Sequence, residues 1–106
     1  VANNPRAKRF LETHQKKFVA GTPNYYSGLT YDATYIWKEA VEWTLKQGRP
    51  YNGDSLREAI LAMRQFDGTS GKVIFREDGT SSRPINILQI KDGKFGVIAT
   101  VDAKSN

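Results

Sequence analysis

The chain has 106 residues and a formal net charge of +5, and this length allows one small domain with its own core. It contains no cysteine, which excludes disulfides, zinc–cysteine sites and thiol catalysis. No segment approaches the apolar length that a membrane-spanning helix needs.

The basic residues are scattered along the chain. Only Arg6–Arg9 and Lys16–Lys17 contain closely spaced cations. This distribution is typical of solvated helix faces and argues against a phosphate-binding stripe. The charge therefore gives little support to a nucleic-acid-binding function.

The first residues lack the charged-then-apolar pattern of a secretory signal, which says little because the chain does not begin with Met. We interpret the chain as a mature or cut piece. The first predicted helix spans about residues 5–19, with Pro5 at an early position where its missing N–H is not needed. The only histidine, His14, lacks the partners that metal binding or nucleophilic catalysis requires. We expect it at the edge of the core or on the surface.

A loop with two adjacent aromatic residues is predicted at residues 24–28, before a second helix over about residues 29–47. Asp32 is expected in the first turn of this helix, where the helix dipole stabilises a carboxylate. Glu42 and Lys46 are spaced for an i,i+4 ion pair.

A third helix is predicted over about residues 55–65. Ser55 and Glu58 have the spacing of a capping box, in which the hydroxyl of Ser55 accepts from the Glu58 amide and the carboxylate reaches back. After Phe66 the helical period ends.

Three strands are predicted at about residues 72–75, 84–91 and 94–101. Asp92-Gly93 lies between the last two and is the residue pair that a type I′ turn prefers, so these strands should form a hairpin. Asp78-Gly79 predicts a further turn. Ser81–Ser82 has neither a histidine partner nor a nucleophile elbow, and we interpret it as turn chemistry.

The predicted hairpin has apolar side chains on both faces. In the strand predicted at about residues 84–91, Ile85 and Ile87 point one way, while Leu88 and Ile90 point the other. A strand with apolar side chains on both faces is normally covered on both faces by other elements. Three amphipathic helices can supply only part of that cover. We infer that another chain or the rest of a larger protein is missing.

The order of the motifs is specific. Tyr31-Asp32-Ala33 opens the long helix, and "LREAI", "FDGTSGKVIFREDGT" and "INILQIKDGKF" follow. The densest motif combines Phe66, Gly68, Gly71, Lys72 and Phe75. From about Phe10 to Val101 the chain resembles the C-terminal part of type I periplasmic solute-binding proteins, the branched-chain amino-acid binding family that serves ABC importers.

The resemblance implies an α/β fold class: a C-terminal fragment of a periplasmic binding protein-like I fold, with three helices followed by antiparallel strands. Residues 1–106 would be the C-terminal portion of a much longer protein, in which two lobes close on a solute at a hinge. It further implies a signal peptide in the precursor and a periplasmic location, or an extracytoplasmic, lipid-anchored one. The implied partners are a small solute, an amino acid or related acid, and a membrane permease.

The resemblance also implies site residues. In the family an aromatic residue five positions before the motif tyrosine contacts the ligand, and that position is Tyr26 here. Tyr25 and Ser27 are its neighbours, and the alternative is that both tyrosines are half-buried and pack on a helix N-terminus. Gly68 and Gly71 would give flexible backbone where the chain passes between lobes, and Gly79 would form a turn.

Three hypotheses remain open at this point. The first is a solute-binding module without catalytic residues, cofactor or metal, and the second is a ligand-sensing domain of the same fold in a receptor or regulator. The third is a basic nucleic-acid binder, against which the scattered charge argues. An enzyme is disfavoured because the sequence has no nucleophile–base pair or metal cluster. Uncovered strands also predict self-association of the chain.

Overall fold

The computed structural model describes residues 3–19 and 21–104. Over these residues the order of elements is three helices followed by five strands, all of whose pairings are antiparallel. The elements are α1 Pro5–Lys17, α2 Tyr25–Lys46, α3 Gly53–Met63, β1 Gln65–Gly68, β2 Gly71–Phe75, β3 Ser81–Ser82, β4 Ile85–Lys91 and β5 Lys94–Val101. This order confirms the predicted fold class.

Helix α1 begins where its sequence indicates. The Asn4 side chain accepts a 2.8 Å hydrogen bond from the Ala7 N–H, and Pro5 occupies the first turn, so an otherwise unpaired N–H is satisfied and another is absent. The helix ends before residue 19 because Phe18 is extended, with its N–H bonded to the His14 carbonyl.

Helix α2 begins one turn earlier than predicted. The Asn24 side chain accepts a 3.0 Å hydrogen bond from the Ser27 N–H and so caps the helix. The prediction that residues 24–28 form a loop was therefore wrong. Glu42 pairs with Lys38, one turn towards the N-terminus, rather than with Lys46.

Helix α3 is capped by Asn52, whose side chain accepts from the Ser55 N–H at 2.9 Å. The predicted capping box was wrong, because Ser55 lies inside the helix and Glu58 pairs with Arg49. Helices α2 and α3 pack together through a buried cluster. Its members are Ala40, Leu56 and Ala59, with Val41, Trp43 and Ile60 around them.

The first sheet has the order β1-β2-β3. Phe66 of β1 and Val73 of β2 are opposite each other in register and both are buried, while α1 contacts β1 and α3 contacts β2. Ser81–Ser82 pairs with the end of β2, so their interpretation as turn residues was wrong. We call residues 3–19 and 21–82, which hold the helices and this sheet, the body.

Strands β4 and β5 form a separate sheet, which we call the hairpin (residues 85–101). Asp92 and Gly93 both have positive φ, 52° and 72°, and they are the two residues between the paired Lys91 and Lys94. The predicted type I′ turn is thereby confirmed.

A β-bulge divides the hairpin. Ile87 pairs with Ala99, but Leu88 pairs with Val97, so Ile98 is an extra residue in β5. Since directly paired residues share a face, the bulge moves the apolar side chains of β5 from one face to the other. The apolar residues nearer the turn share one face (Leu88, Ile90, Phe95, Val97), and those farther from it share the other (Ile85, Ile87, Ala99, Val101).

Both apolar faces of the hairpin are uncovered. Every residue of β4 and β5 is exposed, and the exposed fraction of the large apolar residues runs from 46% at Ile87 to 75% at Phe95. The tertiary contacts of the hairpin are mostly between its own two strands. The expectation that the helices cannot cover these strands is confirmed.

Among the described residues, none of the helices has both the length and the apolar content needed to cross a membrane.

Candidate ligand-binding site

The first turn of α2 presents two aromatic rings to the outside. Tyr25 and Tyr26 have exposed fractions of 60% and 73%, and their rings meet edge to face with centroids 5.7 Å apart. Both tyrosines are therefore exposed rather than half-buried, contrary to the alternative interpretation. An exposed aromatic pair offers contact area for an apolar group together with two hydroxyls for hydrogen bonds.

The helix cap fixes where these rings lie. The Asn24 carboxamide oxygen accepts from both the N–H and the hydroxyl of Ser27, each at 3.0 Å. The Ser27 hydroxyl thus donates its proton within the cap and keeps acceptor capacity on its oxygen. Thr30 ties the next turn by donating to the Tyr26 carbonyl at 2.9 Å.

The opposite side of α2 is anchored to the turn between β1 and β2. Both carboxylate oxygens of Asp32 accept from the Thr69 N–H, at 3.0 and 2.9 Å, and one also accepts from the Thr69 hydroxyl at 3.0 Å. Both residues are buried. Asp32 lies beyond the first turn, so the expected helix-dipole position was wrong, and its structural role comes from fixing the β1–β2 turn.

The three predicted hinge or turn glycines occupy tight turns. Gly68 and Gly71 pair at the end of the β1–β2 ladder. A Cβ on Gly68 would lie 2.5 Å from the Asp32 carboxylate, whereas Gly71 has φ +110° and lies against Pro84. Gly79 has φ +85° in the β2–β3 turn. The two sheets are joined at residues 83–84, so Gly71 lies directly beneath that connection.

The comparisons with known proteins identify the family. The model of the Periplasmic binding protein family matches residues 2–94. The chain belongs to the periplasmic binding protein family.

A solved structure agrees with this assignment to the periplasmic binding protein family. The chain superposes on the leucine-binding protein LivK from Thermotoga maritima with a TM-score of 0.75 and 27% sequence identity. The match covers 96% of this chain and 28% of LivK. The resemblance to type I proteins of the branched-chain amino-acid family is confirmed. No curated protein matches significantly.

Within this periplasmic binding protein chain, the structure also brings together residues that sequence reasoning missed. The Arg6 guanidinium lies over the rings of Tyr35 and Phe66, at 4.9 and 4.4 Å from their centroids. The rings of Tyr31 and Tyr35 are in tilted contact, with centroids 4.9 Å apart. The i,i+4 spacing of the two tyrosines was a usable signal, but nothing local links Arg6 to Phe66.

Charges and burial affect the two phenols differently. Burial, with the hydrogen bond to Tyr35, raises the pKa of Tyr31. The hydrogen bond from Tyr31 lowers the pKa of Tyr35, with a further contribution from the positive charges of Arg9 and Arg6. The positive charges thus shift the pKa of Tyr35 in the same direction as the hydrogen bond does.

His14 lies between Phe10 and Phe18, with ring centroids 6.0 and 4.8 Å away, at the edge of the core as expected. Across the described ranges, no group of three or more possible ligands is placed to hold a metal ion.

Proposed function

We propose that this chain is part of the extracytoplasmic solute-binding component of an ABC importer. The whole protein would capture a small solute, such as an amino acid, between two lobes and deliver it to a membrane permease. The family match over residues 2–94 carries the proposal. The likeness to LivK, which is named a leucine-binding protein, supports an amino acid as the solute.

Tyr26 is the residue proposed to form the pocket wall. Its ring is the more exposed of the pair, it is braced by Tyr25, and it lies five positions before Tyr31, where the resemblance implies the ligand-contacting aromatic. A braced ring can cover an apolar solute side chain with little loss of side-chain entropy. Ser27 would offer its hydroxyl oxygen to a donor on the solute.

The hairpin is proposed to be covered by the rest of a longer, two-lobed protein. Both of its apolar faces are exposed, and a two-stranded ribbon alone is marginally stable in water. The connection at residues 83–84 would absorb lobe movement, with Gly71 and Gly68 in the turn beneath it. In the isolated 106-residue chain the same faces would drive self-association.

Calorimetric titration with leucine tests the proposed function. The full-length protein that contains this chain should bind a small solute, and Tyr26→Ala should weaken binding about tenfold or more, because the aromatic wall is removed. Tyr51→Ala is the matched control, since Tyr51 is exposed and lies before α3. The isolated chain should bind poorly, because most of the pocket would lie outside it.

Two results would contradict the proposal. One is tight solute binding by the isolated 106 residues. The other is a full-length protein that binds no amino acid or related acid in a panel.

A further inference from the structure

A second concave surface lies on the side of α2 away from Tyr26. It is a groove of about 640 Å³ between the start of α1, the middle of α2 and the β1–β2 turn. Tyr35 lines the groove and follows Tyr26 by nine residues, roughly two and a half helical turns, so the two side chains project from opposite sides of α2. The volume is within the range of small-molecule sites.

Arg6 is held in place at this groove. Its guanidinium lies within cation–π distance of both the Tyr35 and Phe66 rings. Neither cation–π contact supplies an oxygen acceptor for the N–H donors of the guanidinium. Among the described residues, none of the hydrogen bonds or ion pairs of side chains engages these donors.

The groove has an excess of positive charge. Arg9, one turn after Arg6, and Lys72 of β2 also line it, and both side chains belong to exposed residues. The only carboxylate among its lining residues is that of Asp67, opposite Lys72 in the β1–β2 register. Three cations against one carboxylate attract an anion.

Two phenols complete the polar lining. Tyr31 and Tyr35 line the groove with their rings in tilted contact, and the Arg6 guanidinium lies 4.9 Å from the centroid of the Tyr35 ring. A neutral phenol donates one hydrogen bond. A planar guanidinium beside a phenol is suited to an oxyanion, because the guanidinium can donate two parallel hydrogen bonds to it.

We propose that this groove binds the oxyanion group, carboxylate or phosphate, of a small ligand, at a site separate from the Tyr26 wall. Arg6 supplies the bidentate donor, Arg9 and Lys72 supply the attracting charge, and Tyr35 supplies a hydroxyl donor. The inference does not depend on the proposed solute-transport function, because it rests on residues that the 106-residue chain contains.

Titration of the 106-residue chain by amide NMR tests the proposal. Inorganic phosphate and succinate are the two probes, each compared with sodium chloride at equal ionic strength. Saturable shifts should be concentrated at Arg6, Arg9, Tyr35 and Lys72. A stronger response to phosphate assigns a phosphate-bearing ligand, and a stronger response to succinate assigns a carboxylate.

Variants distinguish a specific anion-binding site from non-specific attraction of anions by positive charge. Arg6→Lys keeps the charge but loses the planar fork and should weaken binding about tenfold, and Arg9→Gln should do the same by removing a charge. Lys17→Gln is the matched control, because it removes the same charge from an exposed residue at the far end of α1. If Arg6→Lys fails to fold, Arg9→Gln and Lys72→Gln carry the test, since both change exposed residues.

Either of two results overturns the proposal. The first is a response that follows ionic strength alone and extends equally to Lys16 and Lys17. The second is an equal loss of affinity in Arg9→Gln and Lys17→Gln.

Discussion

The body and the hairpin use similar strands and bury them differently. In the body, Phe66 and Val73 are 4% and 1% exposed, whereas in the hairpin Phe95 and Val97 are 75% and 59% exposed. The residue types are the same and only the neighbours differ. Apolar content in a strand therefore indicates a need for cover, and the surrounding elements determine whether that cover is present.

The difference follows from how each sheet is packed. Helices α1 and α3 contact the first sheet, and the Asp32–Thr69 hydrogen bonds tie α2 to its turn. The hairpin has no comparable helix against either face among the described residues. Its stability should therefore depend on a partner surface, while the body should resist unfolding on its own.

The largest expected effect comes from removing the Asp32–Thr69 hydrogen bonds, which anchor α2 to the β1–β2 turn. Asp32→Ala leaves the buried N–H and hydroxyl of Thr69 without acceptors, and it should lower the free energy of unfolding by about 3 kcal/mol or more. Urea denaturation followed by circular dichroism measures the loss. Asp102→Ala, at an exposed position after the hairpin, is the control and should change stability by less than about 0.5 kcal/mol. Equal losses of unfolding free energy in the two variants would contradict the anchoring role of Asp32.

A valine pair compares the two sheets directly. Val73→Ala removes two methyl groups from a buried position and should lower the free energy of unfolding by about 2 kcal/mol. Val97→Ala makes the same chemical change in the hairpin and should cost less than about 0.5 kcal/mol. Denaturation of both variants under one set of conditions gives the contrast. If Val97→Ala proved as destabilising as Val73→Ala, the hairpin would have cover in solution.

The smallest of the three effects concerns association. The 106-residue chain should self-associate through the hairpin, and Leu88→Lys should weaken that association at least about tenfold, or about 1.4 kcal/mol, because a charge is placed on an apolar face. Sedimentation velocity over a range of concentrations measures it. Leu45→Lys is the control, since Leu45 is exposed on α2 of the body. A wild-type chain that stays monomeric at high concentration would contradict the prediction.

Local sequence signals predicted much of the architecture. The helical spacing and Pro5 located α1, and Asp92-Gly93 predicted the turn of the hairpin because both positions need positive φ. Two of the errors, the start of α2 and the capping box of α3, arose at caps, where several polar residues competed. Asn24 and Asn52 cap α2 and α3, although Ser55 offered an equally plausible cap in the sequence.

The candidate site was only partly predictable. The resemblance singled out Tyr26, whose exposure could be seen only in the structure. The groove that Arg6 lines was not predicted from the sequence, because its cations and phenols come from α1, α2 and the β1–β2 turn. Such groups carry no shared local pattern.

The sequence by itself determined the three helices, the strands and turn of the hairpin, and the family, because these depend on spacing, turn chemistry and motif order along a continuous segment. Only the tertiary structure decided that Asp32 fixes the β1–β2 turn, that Arg6 lies over the rings of Tyr35 and Phe66, and that one sheet is covered while the hairpin is not. Each of these depends on contacts between residues far apart in the chain, where packing rather than local conformational preference determines which groups meet.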